Sequence, residues 1–296
     1  MTSYFFIDLT NALLSGILIG SLYAIMALGL TIIHGVVRIF NFCHGGMSIL
    51  GGYIAFMFLS YAGFGLVVSI ILSCVLMFIF GLILYRASIF FLVTKPNWEI
   101  SSAIFLLGLG IMVENLILQL FGPRVKEIPI FFQGAFEFGY IRINHHDVFL
   151  IFFVIIFVLG LNLFFNRTWI GRSIRSVAQD LNGAKVVGIN SNRTLGLAFG
   201  IASAVTGLAG ILLVTKYYLT PQIGWDWMFK CFIIVVFGGL GNITGAIVAG
   251  LIMGLVEALI TLYGSQLWVW PAWFVILLTI LLIKPEGLFG KKSTAY

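Results

Sequence analysis

Long apolar stretches recur along the whole chain, and no other feature restricts its fold so tightly. Residues 9–33 contain no Asp, Glu, Lys or Arg, and further apolar runs follow at about 46–60, 64–85, 100–121, 147–165, 195–216, 228–262 and 265–283. About 20 apolar residues in a helix cross roughly 30 Å of hydrocarbon. Lipid offers no partner to a bare peptide group, so such runs are expected to span as helices. With 61% hydrophobic and only 9% charged residues, too few polar side chains remain to cover a water-soluble globule, for which about 25% charged is usual. Disordered chains, nucleic-acid modules and secreted disulfide scaffolds are excluded together. Cys43, Cys74 and Cys231 are widely spaced in apolar surroundings, matching neither a metal cluster nor a disulfide framework. Residues 1–8 hold Asp8 and no Lys or Arg; a secretory signal begins with basic residues, so the first helix is expected to remain.

The run 228–262 is too long for one ordinary span, and glycines crowd its middle, Phe237-Gly-Gly-Leu-Gly-Asn-Ile-Thr-Gly245. It divides into a short broken helix, 228–241, and a full one, 243–262. Charge placement supports the division. Loop 166–194 carries Arg167, Arg172, Arg175, Lys185 and Arg193 against Asp180 alone, and the tail 284–296 carries Lys284, Lys291 and Lys292. Cytoplasmic loops are enriched in Lys and Arg, which puts both on the inner side. Only an even number of crossings connects them, and the division makes it four. Counting backwards puts 122–146 and the N-terminus outside. The expected fold is an all-α polytopic integral membrane protein, one domain over 1–296, with about eight to nine transmembrane helices, some of them broken.

Polar groups inside the spans are costly, so each is a functional candidate. Two glycine-rich breaks, at 34–46 and 237–245, resemble the discontinuous helices with which transporters present helix ends to a substrate; close packing of small residues is the alternative. The candidate path comprises Asn41, His44, Glu114, Asn115, Gly238, Gly239 and Gly241. Glu114 and Asn115 lie one turn from Gln119, a patch that lines a path or binds a neighbouring helix; the path is favoured for Glu114. Glu257 either faces water near the outer end or belongs to the path. His34 and His44 do not make a haem site, because His145 and His146 fall in an outer loop. No cofactor or metal site is read from the chain, nor any hydrolase or phosphate-binding motif. If ATP drives this protein, another chain binds it.

On the basic side, Ala178, Leu181, Ala184 and Val187 recur at three-residue spacing before Gly188, which predicts a short helix with a small-residue face. Such a face suits a groove on another protein; an interfacial helix resting on anionic lipid is the alternative. Here the sequence resembles the LivH/LivM permeases of branched-chain amino-acid ABC importers, most closely the LivH branch. The resemblance rests on Ala178, Ala184 and Gly188-Ile189-Asn190 with Asp180 between them, on Gly20-Ser-Leu-Tyr-Ala-Ile-Met-Ala-Leu-Gly29, and on Asn41-Phe-Cys-His-Gly45. Phe121-Gly-Pro123, Phe237-Gly-Gly-Leu-Gly-Asn242 and Lys284-Pro-Glu-Gly-Leu-Phe-Gly290 extend it over nearly the whole chain. The family pattern often has Glu where this chain has Gly46, Gln-Asn where it has Glu114-Asn115, and Pro where it has Thr244.

The resemblance implies that Arg172, Arg175, Ala178, Asp180, Ala184, Gly188, Ile189 and Asn190 form the segment that couples to an ATPase. It also implies a non-enzymatic permease subunit in a bacterial inner membrane, surrounded by lipid. Its partners would be a LivM-like permease, two cytoplasmic ATPases and an extracytoplasmic substrate-binding protein, with no nucleic acid. The substrate would be a neutral, branched-chain amino acid. Related permeases move urea or short amides, and a stand-alone proton-coupled carrier or channel using Glu114 or Glu257 is the rival class.

Overall fold

The computed structural model describes residues 2–93, 95–138 and 140–290; Lys291 and Lys292 of the basic tail lie outside them. The chain runs α1 (Thr2–Val37), α2 (His44–Ser60) and α3 (Leu66–Leu84), which passes through a π-helical turn (Tyr85–Ile89) into the single turn α4 (Phe90–Leu92). Next come α5 (Trp98–Phe121), an antiparallel hairpin of β1 (Ala135–Phe138) and β2 (Ile141–Asn144), and α6 (His145–Arg167). Then follow α7 (Trp169–Gln179), α8 (Leu181–Val186), α9 (Ser191–Val214), α10 (Ile223–Gly238), α11 (Ile243–Tyr263) and α12 (Val269–Ile283).

Among the described residues seven helical segments are long and apolar enough to cross a membrane. The other two expected spans are α2, with 17 residues, and α10, with 16. At 1.5 Å per residue these reach only about 26 and 24 Å, so the count of eight to nine includes two helices too short to cross unaided. The protein is a multi-pass α-helical membrane protein with little strand.

Burial sorts the helices into a centre and a ring. The apolar windows of α1 and α9 are 89% and 83% buried, against 22% for α3 and α5, 17% for α6 and 11% for α12. Apolar side chains gain nothing by exchanging lipid for another helix at membrane depth, so close van der Waals packing draws the helices together, and small residues permit it. Gly16, Gly20 and Ala24 on α1 meet Gly250, Gly254 and Ala258 on the antiparallel α11. A Cβ at Gly20 would lie 2.8 Å from the Leu251 Cα. On α9, Gly200 receives the Phe78 ring of α3 and Gly207 the backbone of α2 at Gly51.

Both expected breaks occur, with different characters. Gly239 (φ 105°) and Gly241 (φ 77°) form a tight turn between α10 and α11, in backbone that only glycine adopts freely. Asn242 caps α11 by accepting from the Gly245 amide at 2.9 Å. The other break is a non-helical link, residues 38–43, between α1 and α2. The single helix expected around 178–187 is instead two, α7 and α8, separated at Asp180.

Candidate functional site

The 38–43 link turns the chain back into the bundle, so that α2 begins against the interior of its neighbours. Asn41 is buried and its Oδ1 accepts from the Cys43 amide at 3.1 Å. His44, fully buried, donates from Nε2 to the Met26 carbonyl of α1 at 3.0 Å, and its Nδ1 lies 3.3 Å from Thr206 Oγ1 of α9. Asn41 and His44 are thereby anchors of the link.

The N-terminal turn of α2 meets that of α10. A Cβ at Gly45 would fall on the Gly224 carbonyl. Neither helix has a side-chain cap, although the His44 amide donates to the Asn41 carbonyl and the Trp225 amide to the Gln222 carbonyl; two positive helix ends converge here. Glu114 of α5 lies beside this junction, accepting from the indole Nε1 of Trp225. Phe42, Gly45, Gly46, Ile49, Gly110, Glu114, Pro221, Gly224, Trp225 and Met228 surround it, leaving about 10 Å³ of water-accessible space, the room one water needs. Two departures from the family pattern, Gly46 and Glu114, thus line one pocket.

The other sequence candidates do not join it. Asn115 is exposed and its side chain donates back to the Ile111 carbonyl at 2.8 Å. Gly238, Gly239 and Gly241 lie in the α10–α11 turn, packed against Gly245, Gly35 and the segment Gly287–Gly290; the Leu288 amide donates to the Phe237 carbonyl at 2.8 Å. For these glycines the contacts fit the packing alternative.

A second polar cluster escaped the sequence reading. Lys230 of α10 donates to both Glu257 oxygens of α11 at 2.8 and 3.0 Å and to the Tyr23 hydroxyl at 2.5 Å. The Tyr23 hydroxyl donates to Glu257 Oε2 at 3.0 Å. Tyr23, Trp270 and Trp273 present their rings to the ammonium at 5.0, 5.9 and 5.3 Å, which adds cation–π attraction. The Glu257 side chain is 5% exposed and ion-paired, and it stands at the edge of a cleft of about 500 Å³ that Asp8, Asn11, Lys216 and Tyr217 also line. The available signal was a lysine inside the apolar run 228–262.

On the basic side, α7 and α8 form an elbow shaped by its caps. Thr168 Oγ1 accepts from the Gly171 amide at 3.0 Å, Asp180 Oδ1 from Asn182 at 2.9 Å, and Asn190 Oδ1 from Arg193 at 3.1 Å. Gly188 (φ 82°) turns the chain toward α9 and the Ile189 amide donates to the Ala184 carbonyl at 3.0 Å. Arg175 donates to Asn166 at 2.6 Å, and Arg172 is exposed. Ala178 is half-buried and Ala184 buried within this chain, so the expected small-residue face packs inward. What points outward is Leu181, Val186 and Val187, the two valines 88% and 73% exposed.

A bundle with two short helices meeting inside it and a capped elbow on its basic side defines a polytopic α-helical permease. The family model described as branched-chain amino acid transport system / permease component matches residues 12–284, and the chain belongs to this family. It is 32% identical over 292 residues to the high-affinity branched-chain amino acid transport system permease protein BraD of Pseudomonas aeruginosa, covering 94% of this chain and 95% of that one. The corresponding protein LivH of Escherichia coli K12 is 28% identical, with 97% of each chain covered. The probable branched-chain amino acid transport permease protein LivM of Methanocaldococcus jannaschii is 27% identical over 77% of this chain and 69% of its own.

Proposed function

We propose that this chain is the LivH-like permease subunit of an ABC importer for branched-chain amino acids in a bacterial inner membrane. It pairs with a LivM-like permease, two cytoplasmic ATPases and an extracytoplasmic binding protein. The observation that carries the substrate assignment is the pocket at Glu114. A zwitterion needs a negative group for its ammonium and a positive one for its carboxylate. Glu114 suits the first, and the uncapped ends of α2 and α10 suit the second. Ile49, Met228 and Phe42 supply apolar contact for an aliphatic side chain. Urea or a neutral amide has no ammonium for the carboxylate to receive.

In this conformation the pocket is shut to anything larger than a water. Transport then requires α2 and α10 to part, as in other broken-helix transporters that alternate access about a central site. The α7–α8 elbow, with Val186 and Val187 outward and Arg172, Arg175 and Lys185 around them, is the docking surface for an ATPase.

The test is uptake of labelled leucine by the assembled complex in proteoliposomes. Uptake should require ATP, and Glu114→Gln should raise the KM for leucine about tenfold or more, the loss expected when a charge-assisted contact goes. Uptake driven by a proton gradient without ATP would establish the carrier reading, and preferential competition by urea or acetamide the amide reading.

A further inference from the structure

The link between α1 and α2 reaches from a cleft beside the elbow, lined by Arg38, to the pocket, lined by Phe42. Arg38 begins it in left-handed backbone, φ 58°, a region that non-glycine residues seldom occupy. Three residues further on stands Asn41, then His44, and with His44 the helix whose first turn walls the pocket. Arg38 is exposed, and it lines a cleft of about 310 Å³ whose facing wall is the elbow itself, with Val177, Ala178, Asp180 and Leu181. Asp180, the residue at the elbow's break, thus lines the same cleft as Arg38. Asp180 uses Oδ1 to cap α8, and its Oδ2 lies beside Gly183 in the same turn. Among the described residues no ion pair joins the two.

We propose that Arg38 and Asp180 are positioning residues for transport, which transmit elbow movement to the α2 terminus. The inference rests on the importer reading. When a docked ATPase drives the elbow toward α1, the cleft narrows, water leaves it and the attraction between guanidinium and carboxylate strengthens. The pair then pulls on the 38–43 link. Because Asn41 and His44 tie that link to the start of α2, the displacement reaches Gly45, Gly46 and the pocket. A residue held in sparsely populated backbone at a chain reversal is where a change of φ and ψ is absorbed most readily.

The experiment uses the assembled complex in proteoliposomes and reads leucine moved per ATP hydrolysed, alongside ATPase co-purification. Asp180→Asn removes the charge and keeps a good helix cap; Arg38→Gln removes the cation; Arg38→Lys retains it. In each neutral variant the leucine moved per ATP hydrolysed should fall about tenfold, within the usual range of coupling between sites, and Arg38→Gln, which lies outside the elbow, should keep its ATPase. The double variant should be no worse than either single one, and Arg38→Lys should retain most transport. Wild-type ratios in both single variants, or losses that multiply in the double, would overturn the inference and leave the importer reading standing. A wild-type complex that neither holds an ATPase nor needs ATP would overturn both.

Discussion

Removing either partner of the Lys230–Glu257 pair leaves a largely buried charge among aromatic rings and helix backbones. Truncating one member of such a buried pair costs about 3–5 kcal/mol, whereas replacing both by apolar groups is often neutral. Lys230→Met should accordingly lower the thermal stability of the detergent-solubilised protein markedly, and Lys230→Met with Glu257→Leu should recover most of it. A single variant that melts no earlier than the double would show that the pair contributes nothing beyond its packing. Residue identity alone did not reveal this cluster, for a physical reason. One lysine barely lowers the mean hydropathy of a long apolar run, and its partner, 27 positions away on another helix, bears no periodic relation to it. Glu114 was legible because a carboxylate inside a span stands out unaided. Trp225, which holds it, was not, since an indole in an apolar segment looks like ordinary lipid-facing or core bulk.

At the level of elements, the spans were readable because hydropathy sums over many residues, and the observed helices begin and end within a few positions of most apolar runs. The elbow was read less well. A three-residue spacing of Ala178, Leu181, Ala184 and Val187 crosses the break at Asp180 without disturbance, because an N-capping aspartate is also tolerated inside a short exposed helix. Periodicity therefore pointed to a small-residue face for docking, and that face packs inward. Substituting Ala184, which is 4% exposed, would damage the elbow itself. The informative positions are Val186 and Val187, whose side chains touch little in this chain. A carboxylate introduced by Val187→Glu should leave folding and membrane level near wild type, since exposed substitutions usually change stability by less than about 0.5 kcal/mol. In a docked interface the same charge is desolvated without a partner, so ATPase co-purification and uptake should both be lost. Normal co-purification by the Val187→Glu and Val186→Glu variants would place the docking surface elsewhere.

Taken as one body, the molecule combines a long, closely joined frame with a shorter junction inside it. Helices α1 and α11 approach through small residues along much of their length, which leaves no room for sliding without separating backbones. Helices α2 and α10 instead meet at their N-terminal ends, around a pocket with space for a single water, and each is attached by an irregular segment, 38–43 or 215–222. Alternation of access should therefore be a parting of these two ends against a fixed frame. Position 46 reports on that movement. A Cβ there makes ordinary contact, 3.4 Å from the Gly110 carbonyl, so Gly46→Cys seats its Cβ at the pocket wall and offers the thiol to it. Cys43 and Cys231 are buried and Cys74 is partly buried, so a Cys74→Ser background isolates the new thiol. Complete switching between shut and open needs about 5.5 kcal/mol of differential binding, within reach of nucleotide binding to two ATPases. In the complex, the rate of modification by a small charged thiol reagent should be low in one nucleotide state and rise at least about tenfold in another, with leucine slowing it. Equal protection in the nucleotide-free, ATP-bound and ADP-bound states would mean that α2 and α10 stay together throughout the cycle, and the substrate would then have to pass outside this pocket.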